Sequence, residues 1–190
     1  MPSRKVKLTN NCFYHIFNRT LDGRQLFYSN SDYIAYLKLW KEVDFTTCVR
    51  ILAYCLMPNH FHYLFLITDE TLFPRKISYF FNKYLTRLNA LRNESGNFFK
   101  GRYQAKLVKD LQYLISLCGY IHLNPVEAGI VNVPEKWVFS NYLEFIGKRN
   151  GTLFDVELFD EYIKSSDYYV EYLKTRYSSD SLGPFLFDED

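Results

Sequence analysis

The chain has 190 residues, of which 19% are aromatic and 23% charged, enough apolar material for a packed core and too much for a disordered chain. Its net charge of +2 hides an asymmetry, because residues 1–150 carry 20 basic against 11 acidic side chains (+9) and residues 151–190 carry 3 against 10 (−7). No run of 18 apolar residues occurs and Met1-Pro2-Ser3-Arg4-Lys5 holds no apolar signal core, so no membrane association is expected and the reading is a cytoplasmic protein.

Residues 12–20 are aromatic and β-branched and predict a first strand, with turn signals at Leu21-Asp22-Gly23. Ser31 or Asn30 can cap a helix in which Tyr33, Ile34, Leu37, Trp40 and Val43 recur at helical spacing. Two apolar runs, 49–57 and 60–68, flank Pro58-Asn59 and predict a hairpin of central strands. From 72 to 91 the period becomes helical: Ile77, Phe80, Phe81, Tyr84, Leu88 and Leu91 form one stripe, with Lys76, Lys83 and Arg87 beside it. Glu94-Ser95-Gly96-Asn97 ends that helix. A basic loop, Lys100 to Lys106, leads to a short strand near 105–109, and Asp110 caps a third helix running toward Leu123, which Pro125 ends or nearly ends.

The β-α-β-β-α-β order predicts an α+β fold of the ferredoxin-like (RRM-like) kind, an antiparallel sheet with helices on one face. A main domain over 1–150 and a separate acidic, aromatic tail over 151–190 are expected. In the tail, Phe159, Tyr162, Ile163, Val170 and Leu173 suggest one or two helices before an acidic end. Such a tail could imitate a nucleic-acid strand against the basic body, or dock and complete the core. Cys12, Cys48, Cys55 and Cys118 form no Cys-x-x-Cys pair and read as buried thiols.

Three constellations could carry chemistry. His60-Phe61-His62 places two imidazoles on one face of a strand, able to grip a divalent cation, although an exposed strand can carry the same pattern. Tyr120 and Asn124 share a helix face at i and i+4, offering a phenol and an amide oxygen, while Asn before Pro is also an ordinary helix terminator. Lys76, Lys83, Arg87, Lys100, Arg102 and Lys106, interleaved with rings such as Tyr103, suit a single-stranded nucleic acid. Gly-rich phosphate loops, Gly-x-Ser-x-Gly and His-Glu-x-x-His are all missing from the sequence.

Met57-Pro58-Asn59-His60-Phe61-His62 resembles the HUH motif of single-tyrosine, IS200-like transposases. Residues 99–105 (FKGRYQA) and 120–131 (YIHLNPVEAGIV) resemble two further motifs of the REP-associated branch, and residues 14–19 and 137–142 also look like family segments. The resemblance spans about 12–146 in order. It implies, over 1–150, a metal-dependent endonuclease and strand transferase acting on single-stranded or hairpin DNA through a 5′-phosphotyrosine. Tyr120 would be the nucleophile, and His60, His62 and Asn124 the ligands of Mg²⁺ or Mn²⁺. Glu127 stands where many relatives carry Arg. A homodimer is compatible with this reading. The competing reading is a non-cleaving DNA- or RNA-binding protein on the same fold.

Overall fold

The computed structural model describes residues 6–93 and 95–178; Glu94 and the acidic end after 178 lie outside them. Strands Cys12–Arg19 (β1), Val49–Met57 (β2), His60–Ile67 (β3) and Gln104–Leu107 (β4) form one antiparallel sheet in the order β2-β3-β1-β4. The helices are Asn30–Val43 (α1), Leu72–Arg92 (α2), Leu111–Glu127 (α3), Tyr142–Phe145 (α4), Val156–Tyr162 (α5) and Ser166–Ser178 (α6). The chain therefore has the expected α+β antiparallel architecture with helices at its C-terminal end.

α1 and α2 lie together on one face, where β3 presents Phe61, Tyr63, Phe65 and Ile67 to Tyr36, Trp40, Ile77 and Phe80. Aromatic contacts knit this layer: Trp40 stacks on Phe45 at 3.8 Å and on Tyr63 at 4.8 Å. The opposite face is covered as well, which corrects the expectation of helices on one face only. Leu52, Cys55, Met57 and Leu64 meet Leu114, Leu117 and Ile121 of α3 and Leu158, Phe159, Tyr169 and Leu173 of the last two helices. Strands buried on both faces need no polar alternation, so β2 and β3 read as continuous apolar runs. A bulge between Ile51 and Ala53 turns both Leu52 and Ala53 toward this second core.

Local signals set most element ends. α1 starts after Ser29, a residue or two earlier than expected, because the Ser29 N–H donates to Asp32 Oδ2 at 3.1 Å. Asp110 caps α3 as expected, accepting from the Tyr113 N–H at 2.8 Å. Pro125 lies in the last turn of that helix, which runs on to Glu127. The carbonyl of Pro125 accepts from Ile130 N at 2.9 Å, and Gly129 N, at φ +67°, donates to Val126 O at 2.9 Å. Proline thus sits in the last turn of a Schellman-type ending, where it removes the N–H that would reach back to the Ile121 carbonyl but has no further turn to disrupt.

The segment 137–141 lines the exposed edge of β2. Leu56 N donates to Phe139 O and Asn141 N to Tyr54 O, at 2.9 and 3.2 Å, so that edge is covered. His122 on α3 is tied in beside it. Asn141 Oδ1 accepts from Tyr54 N and from His122 Nε2, at 2.7 and 2.9 Å, and Tyr169 OH meets His122 Nδ1 at 2.6 Å. Gly119 lets α6 approach α3: a Cβ there would meet Leu173 Cδ2 at 3.1 Å.

Candidate active site

The β1–β3 register decides which side chains share the second face at the Asn59 end of the sheet. Phe17 pairs with His62 and Arg19 with His60, so His15, Phe17, His60 and His62 point the same way. β4 pairs with β1, placing Lys106 opposite His15 and Gln104 opposite Phe17. The rings of His60 and His62 stand 5.0 Å apart at 81°. Nδ1 of His62 meets Nε2 of His15 at 3.0 Å. Burial, then the neighbouring His60, His15 and Arg19, holds His62 well below the usual imidazole range. Burial and Lys106 push His15 down to about 3. Both are therefore neutral near pH 7.

α3 crosses this face. Tyr120 sets its ring edge-on to His62 at 5.3 Å and to His15 at 6.3 Å. One turn later, Asn124 Oδ1 lies 2.9 Å from His60 Nε2. The two HUH-type histidines, the tyrosine and the asparagine thus meet in one place. On its other side, His60 Nδ1 lies 2.6 Å from Asn59 Oδ1, which fixes the ring.

A cleft of about 410 Å³ opens over His60, His62 and Asn124, lined also by Phe17, Arg19, Lys100, Gln104 and Glu127, with Tyr120 buried beside it against His62. Arg19, His15 and Gln104 were not singled out from sequence, because only strand pairing brings them here, and Asn59, although next to His60, was read only as part of the turn before it. Glu127, exposed on the surface overall, reaches the cleft mouth, and partial burial raises its carboxyl pKa.

The expected basic surface divides. Lys100 lines the cleft, and Lys106 Nζ lies 5.5 Å over the Phe17 ring on the same face. Arg102 is exposed in the adjoining loop. Lys76, Lys83 and Arg87 belong to α2, behind the sheet, and are not brought to the cleft. Lys76 Nζ donates to the carbonyls of Val43 and Asp44 at 2.9 and 2.6 Å, closing the C-terminal end of α1. Lys83 pairs with Glu42 at 3.3 Å. Tyr103 is 8% exposed and packs on Phe73 in the first core, so its ring is not offered to a base.

The donor set suits a divalent cation. Among the described residues no three His, Cys, Asp or Glu side chains are arranged to hold a metal ion, so the Asn124 oxygen would be needed to complete a set. With the Nδ1 proton of His60 given to Asn59, its Nε2 lone pair faces another acceptor, Asn124 Oδ1. A proton or a cation reconciles that contact. An octahedral ion with bonds of about 2.1 Å sets neighbouring ligand atoms about 3.0 Å apart, close to the 2.9 Å observed.

The family model described as "Transposase IS200 like" matches residues 8–124, and the chain belongs to that family. It is 24% identical over 125 residues to a Haemophilus influenzae protein described as a REP-associated tyrosine transposase, covering 60% of this chain and 69% of that one. A solved structure of a REP-associated tyrosine transposase bound to a REP hairpin has the same fold, with a TM-score of 0.61 at 16% identity over 82% of this chain and 94% of the other. Among the described residues no helix is long and apolar enough to cross a membrane.

Proposed function

We propose that this transposase-family chain is a DNA endonuclease and strand transferase that attacks single-stranded, hairpin-bearing DNA with Tyr120, supported by a divalent cation, Mg²⁺ or Mn²⁺, on His60, His62 and Asn124. The observation that carries the reading is the 2.9 Å contact of His60 Nε2 with Asn124 Oδ1, one helical turn from a tyrosine whose ring lies against His62. Bound there, the cation would neutralise and polarise the scissile phosphate. Two imidazoles favour Mn²⁺ in affinity, while Mg²⁺ is the abundant cellular ion.

The chain's own residues supply the rest. Arg19 and Lys100 attract the phosphate backbone into the cleft. Asn59 holds His60, and β3 holds His62, so neither ring must reorganise on binding. Tyr120 Oη attacks phosphorus, the bond from phosphorus to the 3′ oxygen breaks, and the phenol's proton leaves while the 3′ oxygen takes one up. The products are a 5′-phosphotyrosine and a free 3′-OH. Because the ester bond is conserved, a different 3′-OH can reverse the step and join a new strand. The hairpin bound by the structural relative supports a hairpin as the class of target.

The test is a denaturing gel of the protein incubated with labelled hairpin-bearing single strands and Mg²⁺ or Mn²⁺. A covalent protein–DNA adduct that disappears on chelation is expected. Binding with no adduct on any hairpin substrate, with either ion, would mark a protein that keeps the fold and has lost cleavage.

A further inference from the structure

His15 has no part in the reaction just described, yet it is fully buried against the site. Its Nε2 meets His62 Nδ1 at 3.0 Å, and the ring planes differ by 23° with centroids 5.2 Å apart, so the imidazoles join edge to edge. Phe17 stacks on His15 at 4.6 Å and Tyr120 stands edge-on to it. The ring is clamped on every side the contacts describe. Its other nitrogen, Nδ1, is buried and has no hydrogen-bond partner.

Two neutral imidazoles joined by one hydrogen bond have two arrangements. If His15 donates from Nε2, the proton of His62 sits on its own Nε2. That nitrogen then has no lone pair for a cation, and Nδ1 of His62 is already engaged. If His62 donates from Nδ1, its Nε2 is deprotonated and able to coordinate. The proton of His15 must then sit on Nδ1, the buried atom without an acceptor. In either arrangement one buried outer nitrogen of the pair must carry a proton, so the hydrogen bond between the rings does not choose between them, and a cation on His62 Nε2 would select the second.

We propose that His15 is a positioning residue for His62: it accepts the Nδ1 proton of His62 and thereby holds that ring in the tautomer and orientation that can bind a divalent cation. Cation binding and the tautomer of the His15–His62 pair are then one coupled event. The proposal rests on the reading of His60, His62 and Asn124 as cation ligands. It adds a residue of β1 that no spacing within the histidine motif reveals. Partners of this kind to a metal-bound histidine typically change metal affinity by roughly 10–100-fold when lost.

Mn²⁺ binding to the full chain, measured by titration calorimetry and by the free-ion electron paramagnetic resonance signal, tests this without turnover. His15→Phe keeps a ring but removes the acceptor, and should weaken Mn²⁺ binding roughly tenfold or more while leaving a cooperative melt. His15→Gln places an amide oxygen near the lost Nε2 and should recover most of that affinity. Equal losses in both variants, or wild-type affinity in His15→Phe, would overturn the proposal. If His15→Phe does not fold, long-range ¹H–¹⁵N spectra of the wild-type imidazoles decide. With saturating Mg²⁺, His62 should carry its proton on Nδ1 and His15 on Nδ1, and a proton on His62 Nε2 refutes the idea. His60→Ala separates the two readings, since unchanged Mn²⁺ binding there would sink the ligand site itself and not merely the role of His15.

Discussion

Tyr120, the proposed nucleophile, differs from a packing residue by a single oxygen atom. Tyr120→Phe keeps the ring against His62 and His15 and removes the hydroxyl, so the covalent adduct should vanish while DNA affinity changes less than about threefold, about 0.7 kcal/mol. An adduct that persists on the gel would move the role to another tyrosine, with Tyr113, two turns earlier on α3, the first to examine. Glu127 gives a second residue-scale outcome. Its carboxylate stands at the mouth of a cleft otherwise lined by Arg19 and Lys100, where a phosphate must pass. Glu127→Arg should tighten single-strand binding several-fold and steepen the salt dependence by about one charge, read as the slope of log affinity against log salt. That His60 and His62 share a strand face, and Tyr120 and Asn124 a helix face, was legible in the sequence from periods of two and about four, while the roles proposed for them came from the family resemblance. His15, Arg19 and Gln104 were not legible in this way. Their place depends on which strand pairs with which and in what register, a long-range outcome that no local pattern encodes.

At the level of elements, the two basic groups should behave differently. Lys100→Ala should make the salt dependence of DNA binding shallower by about one charge, whereas Lys83→Ala, behind the sheet and paired with Glu42, should leave it unchanged. Helical spacing shows that Lys76, Lys83 and Arg87 lie side by side on α2, but not which face of the sheet α2 will cover. The end of α3 falls two residues beyond Pro125, so the proline signal placed it to within a turn. The tail's two readings also part here. Leu158, Phe159, Ile163, Tyr169 and Leu173 are all buried, and Arg50 on β2 holds Asp155 through two 2.7 Å hydrogen bonds. Losing one such large apolar side chain costs roughly 2–5 kcal/mol, against a whole-domain stability of about 5–15 kcal/mol. Deleting residues from 151 onward should therefore abolish the cooperative thermal transition. A truncated chain that still melts cooperatively and binds single strands more tightly would restore the electrostatic-clamp reading.

For the whole molecule, stability should depend on pH through the buried histidines. His122 lies between Asn141 and Tyr169, and burial pushes its pKa down to about 4. The unfolded chain, with an ordinary value near 6.5, binds the extra proton first as pH falls. The contribution of His122 is thus complete above about pH 6.5 and is lost between there and 4, up to about 3 kcal/mol. Denaturant melts from pH 7 to 4 should show this loss, and His122→Gln should flatten it. The larger consequence lies in the pleat of β1 and β3. Phe61, Tyr63 and Phe65 fill one core while His60 and His62, between and beside them, face the cleft, and Ile16 and His15 divide in the same way on β1. Removing or adding one codon inside either strand would exchange the two sets, turning imidazoles into the oil and aromatic rings into the cleft. A substitution in these strands changes one side chain, whereas a change of length by one residue would move every side chain beyond it to the other face.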